Sequence, residues 1–442
     1  MKNIGYTYSF QERARYSRFL WAWAGVLTLT LTLGQSAHAQ TFSILHAFNG
    51  SDGAHLYGGL TIDRVGNLYG TAAQGGTRGC SDHDIYPEGC GVSFRLSKSG
   101  PSWLYTVLYD FDDYDFEQSG EDGAHPGTMR LGPDGILYGS TFDGGVGCID
   151  GGSNGCGTVY ELRPTHAFCR AATCPWAETV LYRFNKSDGA LPFGDLAFDA
   201  RGNVYGTTLL GGSGCGDQGC GVVYKLAPAA DGWTESVLYT FTNTNDGAFP
   251  AAGVIFDNDG NLYGTTEGYG GGDCMPNCGT IFELTPSTFG WIEKTLFSFN
   301  IGSEAGRSPT GGLISDGLGN FYGTTSGGGP TGGGTVFELT RSEGNWMVTV
   351  LYALSSTSSG SLTMDATGNL YGTTLGGAYG CGSVFKLTHS SGGWIYTDLH
   401  DFTDPDGVEP VGDMVLDAEG DLFGTTNHGG PYGLGVVWEI KQ

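Results

Sequence analysis

The stretch DATGNLYGTTLGG, residues 365–377, decides the fold, because it occurs in seven versions along the chain. The others read DRVGNLYGTAAQGG (63–76), GPDGILYGSTFDGG (132–145), DARGNVYGTTLLGG (199–212), DNDGNLYGTTEGYGG (257–271), DGLGNFYGTTSGG (316–328) and DAEGDLFGTTNHGG (417–430). Around the copy at 257–271, GVIF (253–256) reads as a short strand and DNDGN (257–261) as a turn. In that turn Asp bonds its own backbone, and Gly-Asn tolerates positive φ. LYGTT (262–266) is a second strand, GTIFEL (279–284) a third and WIEKTLFSF (291–299) a fourth. Each repeat is therefore four short antiparallel strands. Such a sheet cannot bury both faces alone and must stack on copies of itself.

Four-stranded repeats of this length imply propeller blades. The mature N-terminus, TFSILHAF (41–48), matches the fourth strand of a blade, while the chain ends after a third strand, GVVWEI (435–440). The expectation is an all-β, seven-bladed β-propeller with four antiparallel strands per blade. Strand 41–48 completes the last blade, which removes an edge open to aggregation. The recurrent Tyr is expected to stack between blades, and the recurrent Gly to let strands approach closely.

Composition agrees. Of 442 residues, 80 are Gly and 13% are aromatic, which suits turns and flat ring packing rather than helices. Residues 1–39 read as a signal peptide: Arg13, Arg15 and Arg18 precede an apolar run from Phe19 to Leu33, and Ala37-His38-Ala39 forms a cleavage site. The run is shorter than the ~20 residues of a spanning helix, so residues 40–442 are expected to form one soluble, exported propeller domain with no membrane span. The whole chain carries −26. Residues 1–39 hold four bases and one acid, which leaves 16 bases and 45 acids after cleavage, or −29. Such a charge argues against nucleic acid or anionic lipid as a partner.

Ten of the eleven cysteines form close pairs: Cys80/Cys90, Cys148/Cys156, Cys169/Cys174, Cys215/Cys220 and Cys274/Cys278. Four pairs occupy one recurrent slot, and the fifth and seventh repeats lack both of its cysteines. Joint loss fits local disulfides and an oxidising compartment better than zinc. Cys381 keeps only the second position and reads as a free or intermolecular thiol in an otherwise monomeric protein.

On GNLYGTT…GG…GTVFELT and its variants the chain is similar to the GloVer (Gloeo/Verruco) tandem repeat of bacterial exported proteins. The resemblance spans essentially all of the mature chain. It implies a propeller-like fold and secretion or surface display, and it points to no known enzyme activity. Some members of that family end in sorting anchors, whereas this chain ends at EIKQ. DxxGNLY also resembles, at the level of fold, the hairpins of streptogramin-lyase-like propellers.

Candidate site residues fall into three groups. A second repeated string carries Asp52, Asp122, Asp188, Asp246 and Asp406, each before Gly. These carboxylates either cap turns or line an acidic mouth. A second group breaks the sevenfold pattern: Asp195 and Asp413 replace Gly, Ser or Thr at the start of an inner strand, Arg130 replaces small or apolar residues, and His55 and His125 follow DGA. The third is an acidic loop with Asp110, Asp112, Asp113 and Asp115, whose oxygen-rich, histidine-free composition suits calcium, although no EF-hand pattern is present. The alternative for that loop is a solvated acidic segment. GGSNG (151–155) meets G-x-S-x-G by chance in a glycine-rich chain and lies outside any strand-to-helix turn.

The function expected from these readings is a non-catalytic binding module for carbohydrate or an extracellular protein at the loop-rich acidic face, secreted or periplasmic, with no cofactor beyond calcium. Two alternatives stand beside it. One is a secreted lyase or glycoside hydrolase using Asp195, Asp413, His55, His125 and Arg130 at the channel mouth. The other is a structural envelope or matrix component.

Overall fold

Seven four-stranded sheets carry the chain, six of them hydrogen-bonded in sequence order from an inner to an outer strand and the seventh completed by the first strand of the chain. The computed structural model describes residues 40–78, 80, 89–111, 122–145, 155–165, 175–270 and 278–442. The expected signal peptide, residues 1–39, lies outside the described residues. The first blade comprises Thr61–Ile62, Leu68–Ala72, Val92–Ser99 and Ser102–Asp110. In the seventh, Val415–Leu416, Leu422–Thr426 and Val436–Lys441 are completed by Thr41–Ala47, which pairs with Val436–Lys441. The N-terminal strand thus closes the ring. Among the described residues there is no helix, and none is long and apolar enough to cross a membrane.

The repeated string does structural work at every position. Asp63 Oδ1 accepts the backbone N–H groups of Val65 (3.0 Å) and Asn67 (2.9 Å), while Oδ2 accepts Asn67 Nδ2 (2.8 Å) and the Tyr69 hydroxyl (3.1 Å). Asp199, Asp257 and Asp365 repeat this set. The tyrosine ring then reaches the next blade: Tyr69 meets Trp176 at 6.4 Å and Tyr263 meets Trp346 at 5.9 Å, both edge-on.

The strand glycine lies opposite an aromatic residue of the third strand, as Gly70 does Phe94. A Cβ on Gly70 would sit 2.7 Å from the Phe94 ring, and one on Gly323 2.7 Å from Phe337. The following threonine ties blades together. Thr207 Oγ1 donates to Ala252 O (2.8 Å), Thr265 to Gly311 O (3.2 Å) and Thr425 to Gly58 O (3.3 Å), each carbonyl on the segment that leads into the next inner strand.

Among the described residues, buried side chains form seven clusters, each drawn from two adjacent blades. A blade hides its faces only against its neighbours, and each large apolar side chain so buried contributes roughly 1.5–3 kcal/mol. At the seam, Phe48, Leu60, Phe94, Phe423 and Val437 are all fully buried in one cluster.

Candidate functional site

The inner strands surround the axis, so residues there that break the repeat meet across it. Aligning the repeats places Gly59, Gly253 and Gly312 at one axial position in three blades, Thr128 and Ser361 in two, and Asp195 and Asp413 in the remaining two. Two residues on, pleating brings the next axial position, held by Arg130 in the second blade. The side chains converge: Arg130 Nη2 donates to Oδ2 of both Asp195 and Asp413. Arg130 and Asp195 are 26% and 25% exposed and Asp413 13%, because all three border a cavity of about 370 Å³ among the inner strands.

Electrostatics couples the group. Burial works to raise the Asp195 carboxyl, but the Arg130 charge and hydrogen bonds hold it down at about 2. Burial pushes Asp413 up, and the adjacent Asp195 charge pushes it further, to about 7, against the pull of Arg130. One guanidinium cannot neutralise two carboxylates in low dielectric, so the pair retains a shared proton into the neutral range. Asp413 Oδ1 accepts the Ser361 backbone N–H at 3.0 Å, whereas Asp195 Oδ1 is buried with no hydrogen-bond partner.

The rest of the cavity wall is mixed. Ile255, Ile314 and Met364 supply apolar surface, and Ser361 and Thr363 supply hydroxyls. Ser361 Oγ also accepts the Gly312 N–H at 2.8 Å, and Thr363 Oγ1 donates to Met414 O at 2.6 Å. Sequence reading passed over these residues. Ser361 carried a usable signal, since it stands where three repeats have Gly.

The two histidines do not border this cavity. His55 and His125 adopt left-handed backbone, φ 56° and 55°, as do Leu191, Phe249, Ser308 and Glu409 at the equivalent position. The His125 N–H donates to Cys90 O (3.0 Å), the N–H groups of Leu191 and Phe249 to Cys156 O and Cys220 O (2.9 Å each), and the His55 N–H to Leu434 O (3.1 Å), so this position ties each of these blades to the loop before the third strand of its predecessor. The His125 ring pairs with Asp143 at 2.9 Å. The His55 ring lies 4.6 Å from that of His428, and burial lowers its proton affinity.

The Asp-Gly carboxylates are also absent from the cavity lining. Each meets a Tyr or His at the end of the preceding outer strand: Asp122, Asp188 and Asp246 accept the hydroxyls of Tyr109 (2.6 Å), Tyr182 (2.6 Å) and Tyr239 (3.0 Å). Asp52 pairs with His46 at 3.0 Å and Asp406 with His400 at 3.2 Å. Asp52, Asp188, Asp246 and Asp406 also cap turn N–H groups of Asn49, Asn185, Thr242 and Thr403. Outer-strand His or Tyr carried the sequence signal. Where the fifth repeat loses Asp-Gly, the matching residue is Phe297.

Asp110 accepts the N–H and hydroxyl of Thr77, while Asp112, Asp113 and Asp115 lie outside the described residues. Among the described residues no group of three or more His, Cys, Asp or Glu side chains is placed to hold a metal ion. Cys80–Cys90 and Cys215–Cys220 are disulfides, with Cα atoms 5.0 and 5.2 Å apart. Cys156 and Cys278 are also disulfide-bonded. Cys148, Cys169, Cys174 and Cys274 lie outside the described residues. Cys381 is a free, half-buried thiol.

The model of the Gloeobacter/Verrucomicrobia repeat family matches residues 30–214, 147–363 and 277–442. No curated protein matches the chain significantly. Among solved structures, a gluconolactonase from Xanthomonas campestris is similar at 14% identity and TM-score 0.42, covering 79% of this chain and 94% of that one. A putative 6-phosphogluconolactonase from Bacteroides uniformis is similar at 13% identity and TM-score 0.48, covering 81% and 92%. A luciferin-regenerating enzyme is similar at 10% identity and TM-score 0.40, covering 91% and 96%.

Proposed function

This chain belongs to the Gloeobacter/Verrucomicrobia repeat family, and on that premise we propose that it is an exported, non-catalytic binding module. Its ligand is a small hydroxyl-rich molecule of the carbohydrate class, held in the axial cavity. The observation that carries this reading is the meeting of Arg130, Asp195 and Asp413 from three blades on one cavity. A repeating scaffold gives every blade the same structural residues, so charged exceptions that converge on one space point to a site. At about 370 Å³ the cavity lies within the ~300–1,000 Å³ range of small-molecule sites. Its wall pairs hydroxyls with an apolar face, as a sugar ring does. The disulfides are compatible with an oxidising, extracytoplasmic location.

Binding of residues 40–442 to a panel of mono- and disaccharides tests the reading. Ile314→Trp and Thr363→Phe, each checked for folding by circular dichroism, should remove binding by filling the cavity. His125→Ala, outside the cavity, should leave it intact. Sugar binding that survives both filled cavities rejects the assignment.

A second reading has one observation in its favour: two carboxyls in contact with proton affinities driven apart, which is the setting of acid–base catalysis. Contact leaves no room between them for a glycosidic bond, since paired glycosidase carboxylates stand ~5–9.5 Å apart. Proton abstraction by a lyase is the form that fits. Sugar turnover lost in Asp413→Asn would establish it over binding alone.

A further inference from the structure

We propose that the axial cavity selects a sugar that carries a free amino group, with the ammonium seated against Asp195 and Asp413. This rests on the reading of the cavity as a carbohydrate site and names the substituent that the site distinguishes.

Arg130, Asp195 and Asp413 are the only ionisable groups bordering the cavity among the described residues. Two carboxyls face one guanidinium, so the site lacks one positive charge when both are ionised. A deficit of this kind is costly in a buried setting, and the empty site meets it by retaining a proton on the carboxyl pair, consistent with the raised proton affinity of Asp413. A ligand ammonium meets the same deficit and replaces the proton.

Hydrogen bonding gives an independent reason. Arg130 Nη2 already serves Oδ2 of both aspartates, and the Ser361 N–H serves Asp413 Oδ1. Asp195 Oδ1 is left with no donor. An unmatched carboxylate oxygen accepts an N–H from a ligand, and an ammonium carries three such donors where a hydroxyl carries one. Charge-assisted bonds are also the stronger kind.

The rest of the cavity limits what carries the amine. A bare metal ion would leave most of the 370 Å³ unfilled, and Ile255, Ile314 and Met364 offer no oxygen ligands from their side chains. A pyranose ring places its C–H face on those three and its hydroxyls near Ser361 and Thr363. The chain's strong negative charge, −26 before cleavage, further raises the local concentration of cations.

Calorimetric titration of residues 40–442 with D-glucosamine, D-glucose and N-acetyl-D-glucosamine separates the outcomes. Glucosamine should bind at least about tenfold tighter than either uncharged sugar, the worth of one charged hydrogen bond. Asp195→Asn and Asp413→Asn, each checked for an unchanged circular dichroism spectrum, should abolish that preference. In buffers of different ionisation enthalpy, glucosamine binding near pH 6.5 should release protons, and in Asp413→Asn the release should vanish. Equal affinity for glucose and glucosamine overturns this inference and leaves the carbohydrate site standing. A preference that survives both substitutions, or calcium alone displacing glucosamine from the site, also overturns it. No binding of any of the three sugars overturns both readings.

Discussion

Asp195 and Asp413 lie two residues before the inner strands of the third and seventh blades, yet both carboxyls end on the Nη2 atom of Arg130. Aspartates 218 positions apart in sequence thereby behave as one titrating unit, and the arginine between them sets its charge.

Removing Arg130 leaves two buried carboxyls facing each other without a counter-charge. Breaking such a group by deleting one partner costs about 3–5 kcal/mol. Arg130→Met should lower stability to urea by that order at pH 7.5. At pH 5 the loss should be smaller, because both carboxyls then take up protons more readily. A pH-independent loss would show that Arg130 matters by packing alone.

Asp413 also gives stability a pH dependence whose sign follows from linkage. Its carboxyl rises from 3.8 in the unfolded chain to about 7 in the folded one, so between those values the folded state holds more protons. Stability from this group is complete below 3.8 and is lost as pH climbs toward 7. Glu178, raised by burial to about 8, and Glu235, raised by burial to about 7, act in the same direction. The test is therefore a difference. Urea midpoints of Asp413→Asn against the parent should diverge over pH 4–7, with the parent falling more steeply. Parallel curves would place the shared proton elsewhere.

Ring closure makes a third prediction. Phe48 is fully buried and packs 5.3 Å from Phe94 across the seam, as Phe241 packs 5.1 Å from Phe282 within the array. Phe48→Ala should cost about 3–5 kcal/mol. Its particular signature is local: amides of 41–47 should exchange with solvent well before the other outer strands, because only this strand is joined to its blade without a hairpin. Phe241→Ala should cost a similar amount without that early exchange. Identical exchange patterns would mean the seam is no weaker than the other blade interfaces.

Much of this was legible in the sequence. Blade number, strand order and the closing role of 41–48 follow from local patterns: an Asp-x-x-Gly-Asn turn, alternating strands and a fourth-strand match at the N-terminus. Hairpins are short-range objects, and seven copies average out the ambiguity of any one. Asp195, Asp413 and Arg130 stood out as exceptions to the repeat, and the structure brings those three together. His55 and His125 stood out in the same way but lie away from the cavity, because their backbone is held left-handed to bond the preceding blade at Leu434 and Cys90. A repeat alignment gives position along a strand and not the partner that a side chain meets.

What the sequence by itself determined is the repeating unit and the number of units, since both rest on interactions within about sixty residues. Only the tertiary structure decided the site. Arg130 and Asp413 are 283 positions apart, and no local interaction relates them. They meet because closure of seven twisted blades sets inner strands from distant repeats around one narrow axis, where the shared cavity makes two carboxyls and one guanidinium a single electrostatic unit.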